Sequence, residues 1–240
     1  DGEKFVDISA QAGIYGSIIG FGLGVTVGDV NQDGWQDIYV SNDFFERDYL
    51  YLNDRKGAFK EVLPESIGHT SQFSMGSDIG DIDNDGLPDI YFTSTLASNK
   101  LYLNLGNFKF KDITESAGVN GGVGIKTGTT MVDINNDGYL DMLVCKSGYK
   151  DANLRKKMLY INNKNNTFTD MAESFGLDDA SYSMQSYFFD YDNDGDKDVY
   201  FLNHPIDFSK TMTIPATMVN GKAVYNADTN TVYVSDRLFE

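Results

Sequence analysis

Several residue types are scarce in this 240-residue chain, and each scarcity excludes something. A single cysteine excludes an intrachain disulfide, and the two histidines are too far apart in sequence for a His-x-x-x-His metal pair. No Gly-x-Ser-x-Gly nucleophile motif occurs. No apolar run is long enough to span a bilayer, and residues 1–7 have neither a basic start nor an apolar signal core. We therefore expect no enzymatic activity and no membrane span.

Basic residues are also scarce, with 19 Lys and Arg against 36 Asp and Glu and a formal net charge of −17. A hydrophobic content of 41% is nevertheless too high for a disordered chain. An acidic chain is a poor partner for nucleic acid, and acid that is gathered into loops points mainly to metal. We therefore expect a folded, metal-binding protein that binds no nucleic acid.

The acid is concentrated in four copies of one nine-residue motif. Each copy has side-chain oxygens at positions 1, 3, 5 and 9, a glycine at position 6 for a sharp turn, and a backbone carbonyl available at position 7. Hard cations such as Ca²⁺ need this kind of oxygen ligand set, so the motifs predict about four bound Ca²⁺ ions. The predicted ligands are Asp29, Asn31, Asp33, Trp35 and Asp37; Asp81, Asp83, Asp85, Leu87 and Asp89; Asp133, Asn135, Asp137, Tyr139 and Asp141; and Asp190, Asp192, Asp194, Asp196 and Asp198.

The first half of an EF-hand loop has the same spelling, so the rest of each motif must decide between the two. An EF-hand needs a bidentate Glu at position 12, where this chain has Val40, Phe92, Val144 and Phe201. The residues that follow each motif are β-branched and aromatic, which is typical of strands and not of an exiting helix. The EF-hand interpretation therefore fails.

The motifs belong to a larger repeat, because they start at residues 29, 81, 133 and 190, which are 52, 52 and 57 residues apart. One strand-like segment precedes each motif, and further strand-like segments follow it. This period and pattern predict an all-β fold, a β-propeller of four-stranded antiparallel blades with the metal loop in the first hairpin of each blade. We expect one domain over residues 1–240, with repeat units at about 15–67, 68–118, 119–176, and 177–240 plus 1–14.

The two ends of the chain look like two halves of one blade. The fourth unit lacks its last strand at the C-terminus, whereas residues 3–14 match residues 109–119, which close the second unit. Pairing of the N- and C-terminal strands would close the four blades into a ring without a free sheet edge. Residues 204–234 interrupt the fourth unit and contain turn signals between strand-like runs, which predicts an inserted hairpin.

Particular motifs resemble a known family. Phe21 and Gly22, leading into the first acidic loop, resemble the FG-GAP repeat of integrin α-subunit propellers and the VCBS repeat. The run from Leu101 to Gly118 is similar to the ASPIC/UnbV proteins, which are related to cartilage acidic protein. The resemblance implies a calcium-binding β-propeller used for recognition outside the cytoplasm, usually with about seven blades. Four units are compatible with a complete ring, a fragment, an engineered ring or a half that pairs with a second chain.

Two functions are consistent with these features. The first is a noncatalytic calcium-binding propeller, secreted, periplasmic or on the cell surface, which acts as an interaction or adhesion module for a protein or glycan partner. Its calcium ions would mainly stabilise the blade loops, and would bind most tightly in the Asp81 and Asp190 loops, which have carboxylates at all of positions 1, 3, 5 and 9. The alternative is a carbohydrate-active enzyme or a sugar-binding accessory domain. Trp35, inside an acidic loop, is the aromatic side chain best placed to contact a partner.

Overall fold

The fold is all-β. The computed structural model describes residues 4–16, 19–43, 46–67, 73–204, 216–220, 222–225 and 236–240. The strands are β1 (Phe21–Gly28), β2 (Asp37–Asp43), β3 (Tyr49–Asn53), β4 (Phe59–Glu61), β5 (Ser74–Gly80), β6 (Asp89–Ser94), β7 (Lys100–Asn104), β8 (Phe110–Asp112), β9 (Ile125–Val132), β10 (Asp141–Ser147), β11 (Met158–Asn162), β12 (Phe168–Asp170), β13 (Ser183–Phe189), β14 (Asp198–Asn203), β15 (Ala216–Val219), β16 (Lys222–Tyr225) and β17 (Arg237–Phe239). Helix is confined to α1 (Leu63–Ser66), α2 (Thr114–Ala117) and a 3-10 turn at Ala152–Leu154 within the described residues. None of these helices is long and apolar enough to cross a membrane.

Consecutive antiparallel strands form four blades, as the repeat predicts. The first three sheets have the orders β1-β2-β3-β4, β5-β6-β7-β8 and β9-β10-β11-β12, and the fourth has the order β13-β14-β17 in the described part of the chain. Each acidic loop connects the first and second strands of its blade. The same register recurs in every blade at the central pairs, which are Tyr39 with Leu50, Tyr91 with Leu101, Leu143 with Leu159, and Tyr200 with Leu238. The predicted four-bladed β-propeller architecture is thus confirmed.

The first strands of the blades lie side by side at the inside of the propeller: β1 packs against β5, β5 against β9 and β9 against β13. Glycine permits this close approach. A Cβ atom added to Gly76 would lie 2.9 Å from the Cα atom of Gly128, so the two backbones are in direct contact. Gly24, one repeat earlier, faces Gly76 in the same way. The acidic loops and the contacts between the inner strands therefore recur with the same spacing of 52 residues in the first three blades.

Three apolar cores fill the spaces between neighbouring blades. The core between the first two blades includes Tyr39 and Phe92, whose rings stack with centroids 6.1 Å apart. A second core lies between blades two and three, and a third between blades three and four. Cys145 belongs to the third core, and burial raises the pKa of its thiol to about 12. It is a buried structural thiol, as expected from its strand.

The predicted pairing of the N- and C-terminal strands is not seen among the residues that the structure describes. Residues 4–8 belong to no strand, and the turn that follows them packs on the first blade, where the Phe59 N–H donates to the carbonyl oxygen of Ala12 at 2.8 Å. This contact holds the N-terminal segment on the outer side of blade one. No packing comparable to that between neighbouring blades joins β1 to β13 in the described part of the chain. Over the described residues, the four blades therefore form an open arc.

The predicted insertion at 204–234 is only partly within the described residues. There, β15 pairs with β16 as an antiparallel hairpin with Ala216 opposite Tyr225. Residues 205–215, 221 and 226–235 lie outside the described residues. The proposed domain and unit boundaries stay predictions.

Candidate metal centres

Each acidic loop is organised by hydrogen bonds from its own backbone. In the first loop, Asp29 accepts the N–H of Asp33 at 2.9 Å and that of Gly34 at 2.7 Å, and Asp33 accepts the N–H of Trp35 at 2.9 Å. The same three bonds recur in the other loops. Gly34 has φ of +86°, a left-handed conformation that favours glycine. Position 6 is glycine in every loop for this reason.

The Asp at position 9 is buried and ties its loop to the blade. Asp37 accepts the N–H of Val30 at 3.0 Å with one oxygen and that of Asn53, at the end of the third strand, at 2.9 Å with the other. Asp89 and Asp141 make the same pair of bonds. Each carboxylate oxygen has two lone pairs, so these bonds leave capacity for a cation.

The loops are connected to one another along one edge of the arc. The side-chain amide at position 4 donates to the glycine carbonyl of the next loop: Gln32 to Gly86, and Asn84 to Gly138 at 3.0 Å. The amide of Asn104 also donates to the carbonyl oxygen of Val30 in the preceding blade at 3.0 Å. Neighbouring loops are therefore held in register.

The four loops divide into two pairs by the residue at position 3. We call residues 29–37 and 133–141, which have Asn there, the amide loops, and residues 81–89 and 190–198, which have Asp there, the carboxylate loops. In the amide loops, Arg55 contacts Asp33 with Nε–Oδ2 2.9 Å, and Lys164 contacts Asp137 with Nζ–Oδ2 3.3 Å. No ion pair to a carboxylate-loop Asp occurs among the described residues.

The carboxylate loops instead bring acidic groups together. Oxygens of Asp81, Asp83 and Asp89 lie within 4.8 Å of one another, and so do those of Asp190, Asp192 and Asp194. Burial raises the pKa of Asp89 to about 7, and the nearby charges of Asp83 and Asp85 act in the same direction. A cation bound among these oxygens would reduce the repulsion between the carboxylates.

In the amide loops, burial raises the pKa of the position-9 acids Asp37 and Asp141, as it does for Asp89, whereas the pKa of Asp33 at position 5 is lowered. Desolvation acts to raise it, but the hydrogen bond from Arg55 and the other donors around the carboxylate hold it below its usual value. The pKa of Asp137 is lowered in the same manner, with Lys164 among its donors. In each amide loop, the basic side chain of Arg55 or Lys164 therefore reduces part of the repulsion between the carboxylates.

The donor set of the loops fits a hard cation such as Ca²⁺, because it consists of carboxylate and amide oxygens. Asp198 provides a second indication. Its Oδ2 accepts the N–H of Tyr191 at 2.8 Å, but its Oδ1 is buried without a hydrogen-bond partner in the described structure. A buried, unpartnered carboxylate oxygen is costly unless a cation or a donor satisfies it. Coordination of a metal ion by the side chains at positions 1, 3, 5 and 9, and by the carbonyls at position 7, stays a prediction.

Two groups of residues in these centres were not predicted from the sequence. The Asn at the end of the third strand, at Asn53, Asn104 and Asn162, donates its backbone N–H to the position-9 Asp. Its signal was the recurrence of Asn at the same place in three units. The basic partners Arg55 and Lys164 each lie two residues after this Asn, so their signal was a basic residue at the same place in two units.

Sequence comparison agrees with this architecture. A sequence model described as an FG-GAP-like repeat matches residues 29–92, 81–144 and 151–201. The chain belongs to the FG-GAP-like repeat family. The resemblance noted from the sequence is thereby confirmed, and all four acidic loops lie inside the matched FG-GAP-like segments.

Relatives of this FG-GAP-like chain include integrin alpha chains and cartilage acidic proteins. Integrin alpha-6 of Gallus gallus is 34% identical over 143 residues, which cover 55% of this chain and 13% of that protein. Cartilage acidic protein 1 of Homo sapiens is 23% identical over 226 residues, which cover 92% of this chain and 33% of that protein. The chain thus spans a third or less of the length of these relatives. The crystal structure of the V. cholerae biofilm matrix protein Bap1 matches at 18% identity with a TM-score of 0.43, covering 78% of this chain and 30% of that one.

Proposed function

We propose that this chain is a noncatalytic, calcium-stabilised β-propeller segment that acts as an interaction module outside the cytoplasm. The observation that carries the proposal is the recurrence of one oxygen-rich loop at the same edge of four blades. Asp81, Asp83, Asp89 and their counterparts would hold the ion, and the ion would supply the positive charge that lets these acidic groups stand ionised side by side. Bound calcium would thereby brace the first hairpin of each blade.

The relatives support the extracellular part of the proposal. Integrin alpha-6 is matched over 55% of this chain, and cartilage acidic protein 1 over 92%. A partner would meet the loop edge, where the ring of Trp35 is 46% exposed beside the first acidic loop. Exposed aromatic side chains of this kind are frequent anchors in interfaces. The class of partner, protein or glycan, is the part that experiment must decide.

The metal proposal is tested by calorimetric titration of the EDTA-stripped protein with Ca²⁺, followed by thermal unfolding with and without Ca²⁺. We expect about four ions and a higher melting temperature, because an ion that binds only the folded chain stabilises it by about 2.7 kcal/mol at a hundred times its dissociation constant. Titration with Mg²⁺ is the control, since its smaller, stricter coordination suits these loops less well. Absence of both binding heat and a melting shift would contradict the proposal.

The interaction proposal needs a separate measurement. The calcium-loaded protein is applied to a glycan array and, in parallel, incubated with polysaccharides while new reducing ends are assayed. We expect no release of reducing ends. Release that one substitution of a carboxylate outside the loops abolishes would replace the interaction module with a carbohydrate-active enzyme. Trp35→Ala serves as the contact variant for any ligand found, with unchanged calcium binding as its control.

A further inference from the structure

The third blade contains all the buried basic side chains in the part of the chain that the structure describes. Lys126, Lys146, Arg155 and Lys157 are each 5% exposed or less. Lys126 lies near the start of β9 and Lys146 near the end of β10, so both are at the edge of the blade opposite its acidic loop. Lysine and arginine are rarely buried, and a chain with a formal net charge of −17 has few of them, so this concentration needs a specific reason.

Lys126 and Lys146 lie directly opposite each other in the ladder between β9 and β10. The pairs at the same register in the other blades are uncharged: Gly22 with Asn42, Ser74 with Ser94, and Ser183 with Asn203. The blade fold therefore does not require a basic residue at either position. Like charges placed opposite each other in a sheet are destabilising, so the lysine pair of the third blade costs stability.

The ammonium groups of the two lysines are held by backbone carbonyls. Lys126 Nζ donates to the carbonyl oxygen of Ala97 at 2.8 Å, and Lys146 Nζ donates to that of Val123 at 3.0 Å. Neither lysine forms an ion pair with any described residue. Burial lowers the pKa of both ammonium groups, and the charge of Lys146 lowers the pKa of Lys126 further. Two buried cations without a counter-charge would be stabilised by an anion bound beside them.

Lys146 also lines a cavity of about 310 Å³ beside the outer strand β12. This volume is at the lower end of the range for small-molecule sites, so the cavity suits a small ligand. The other two basic residues of its wall are already neutralised, Lys156 by Asp178 and Lys157 by Asp179, each at 2.6 Å. Lys146 is therefore the basic residue of the wall that is left for a ligand.

The same wall contains an acid without an ion pair, Asp170 on β12. In the first two blades the acid of the fourth strand is paired, Glu61 with Arg47 and Asp112 with Lys100. Met158 occupies the position of Lys100 in the third blade, so Asp170 has no such partner among the described residues. Its Oδ1 accepts the N–H groups of Leu159 and Ala172, both at 3.1 Å, and its Oδ2 is left to accept from a ligand. A wall with one unpaired base and one unpaired acid suits a ligand that has a single anionic group and several hydrogen-bond donors.

We propose that this cavity binds a small carboxylate that also has hydroxyl groups, which is the chemistry of a uronic acid or another sugar acid. Lys146 binds the carboxylate, and Lys126 adds a second positive charge close to it. Asp170 and Glu173, which is also in the wall, accept hydrogen bonds from the hydroxyl groups. The site contains no residue of an acidic loop, so it is separate from the metal centres and from the contact proposed at Trp35.

The first test is calorimetric titration of the full chain with sodium D-glucuronate at a constant Ca²⁺ concentration. We expect saturable binding with a dissociation constant of about a millimolar, and at least about tenfold weaker binding of D-glucose, which lacks the carboxylate, and of acetate, which lacks the hydroxyl groups. Absence of saturable glucuronate binding, or equal binding of glucose or acetate, would overturn the proposal. Tighter binding of alanine would also overturn it, because the acids of the wall would then bind an ammonium group.

Substitution of the lysines tests where the carboxylate binds. Lys146→Met and Lys126→Met should each weaken glucuronate binding by about tenfold or more, while the ligand-free proteins keep their melting temperature, because the removed charge had no counter-charge. Lys150→Met, at an exposed lysine just beyond β10, is the matched control and should bind as the parent protein does. Unchanged binding by Lys146→Met, or an equal loss in Lys150→Met, would contradict the site. If a methionine variant does not fold, the double variant Lys126→Ser and Lys146→Ser, which reproduces the pair of the second blade, replaces it.

The hydroxyl contacts are tested at Asp170. Asp170→Asn keeps an acceptor for the backbone N–H groups but removes the charge, so glucuronate should bind about fivefold more weakly. Asp112→Asn, at the same position of the second blade, is the control and should leave binding unchanged. Equal affinities of Asp170→Asn and the parent protein would show that Asp170 does not contact the ligand and would overturn this part of the site.

Discussion

The amide loops and the carboxylate loops are copies of one motif, but they differ in how much negative charge they have and in whether a basic side chain neutralises part of it. The amide loops have one acid fewer and a basic partner, Arg55 or Lys164, on the hairpin between the third and fourth strands. The carboxylate loops keep all their acids, cluster three of them within 4.8 Å, and have no basic partner among the described residues. The backbone of the two kinds of loop is nevertheless held by the same hydrogen bonds.

This difference shows that the loop fold and the loop's need for a cation are separable. The backbone bonds to positions 1, 5 and 9 shape the turn in every blade, whatever occupies position 3. The demand for a metal ion depends on how many charges the loop must neutralise and on what else neutralises them. We therefore expect calcium dependence to be concentrated in the carboxylate loops.

The largest expected effect is at the buried acid of a carboxylate loop. Asp89→Ala removes the acceptor of two backbone N–H groups, those of Ile82 and Asn104, at a fully buried site. We expect the free energy of unfolding in Ca²⁺ to fall by about 3 kcal/mol, measured by urea denaturation. Asp89→Asn keeps one acceptor and should cost less. Equal stability of Asp89→Ala and the parent protein would show that the two bonds do not support the blade.

The second effect is a pH dependence of the stability that calcium reduces. Because burial raises the pKa of Asp89 to about 7, the folded metal-free protein binds more protons than the unfolded chain between about pH 4 and pH 7. Stability of the stripped protein should therefore be greatest at the acid end of this range and fall by about 2 to 4 kcal/mol as the pH rises to 7. With Ca²⁺ present, the bound ion keeps Asp89 ionised across this pH range, so the fall in stability should shrink.

Asp48 must be separated from this effect, because burial raises its pKa to about 7 as well. It lies outside the loops and receives hydrogen bonds from Tyr39 and Asn42, each at 2.8 Å. Burial also raises the pKa of the predicted ligands Asp37 and Asp141, so Asp89→Asn should remove part of the calcium-sensitive slope, whereas Asp48→Asn should remove part of the calcium-insensitive slope. A slope that neither substitution changes would contradict this assignment.

A reciprocal exchange at position 3 tests whether charge number sets the affinity. Asp83→Asn converts a carboxylate loop into an amide loop, and Asn31→Asp does the reverse. We expect the calcium affinity of the altered loop to fall about tenfold in the first case and to rise in the second, as measured by calorimetric titration. Affinities that stay the same in both variants would show that position 3 is not a ligand.

The smallest effect on stability is expected at Arg55, the basic partner of the first amide loop. Arg55→Gln leaves Asp33 without its partner, so stability in EDTA should fall by less than about 1 kcal/mol, since Arg55 is largely exposed. The fall should disappear in saturating Ca²⁺, because the ion then neutralises the loop. Lys56→Gln removes the same charge one residue away and is the control. Identical losses for both variants would attribute the effect to net charge instead of the ion pair.

The blades and their loops were predictable because they rest on short-range patterns. The position of Gly34 in the first loop and the β-branched and aromatic residues of β2 are visible in nine to twelve neighbouring residues, and the repeat supplies the same pattern four times. The match between residues 3–14 and residues 109–119 was also real, since Ala12 N–H donates to Ile8 as Ala117 N–H donates to Ile113, both at 2.7 Å. The sequence match did not indicate to which blade residues 3–14 attach.

The sequence by itself determined the all-β blades, the oxygen-rich loops and their number, because each depends on contacts between residues close in the chain. Only the tertiary structure decided that the four blades form an open arc, that Arg55 reaches Asp33, and that Leu238 is exposed where Leu50 is buried. These outcomes depend on contacts between residues that are far apart in the chain. Gly76 and Gly128 meet one full repeat apart, and Arg55 lies 22 residues from Asp33, so no local pattern specifies either contact.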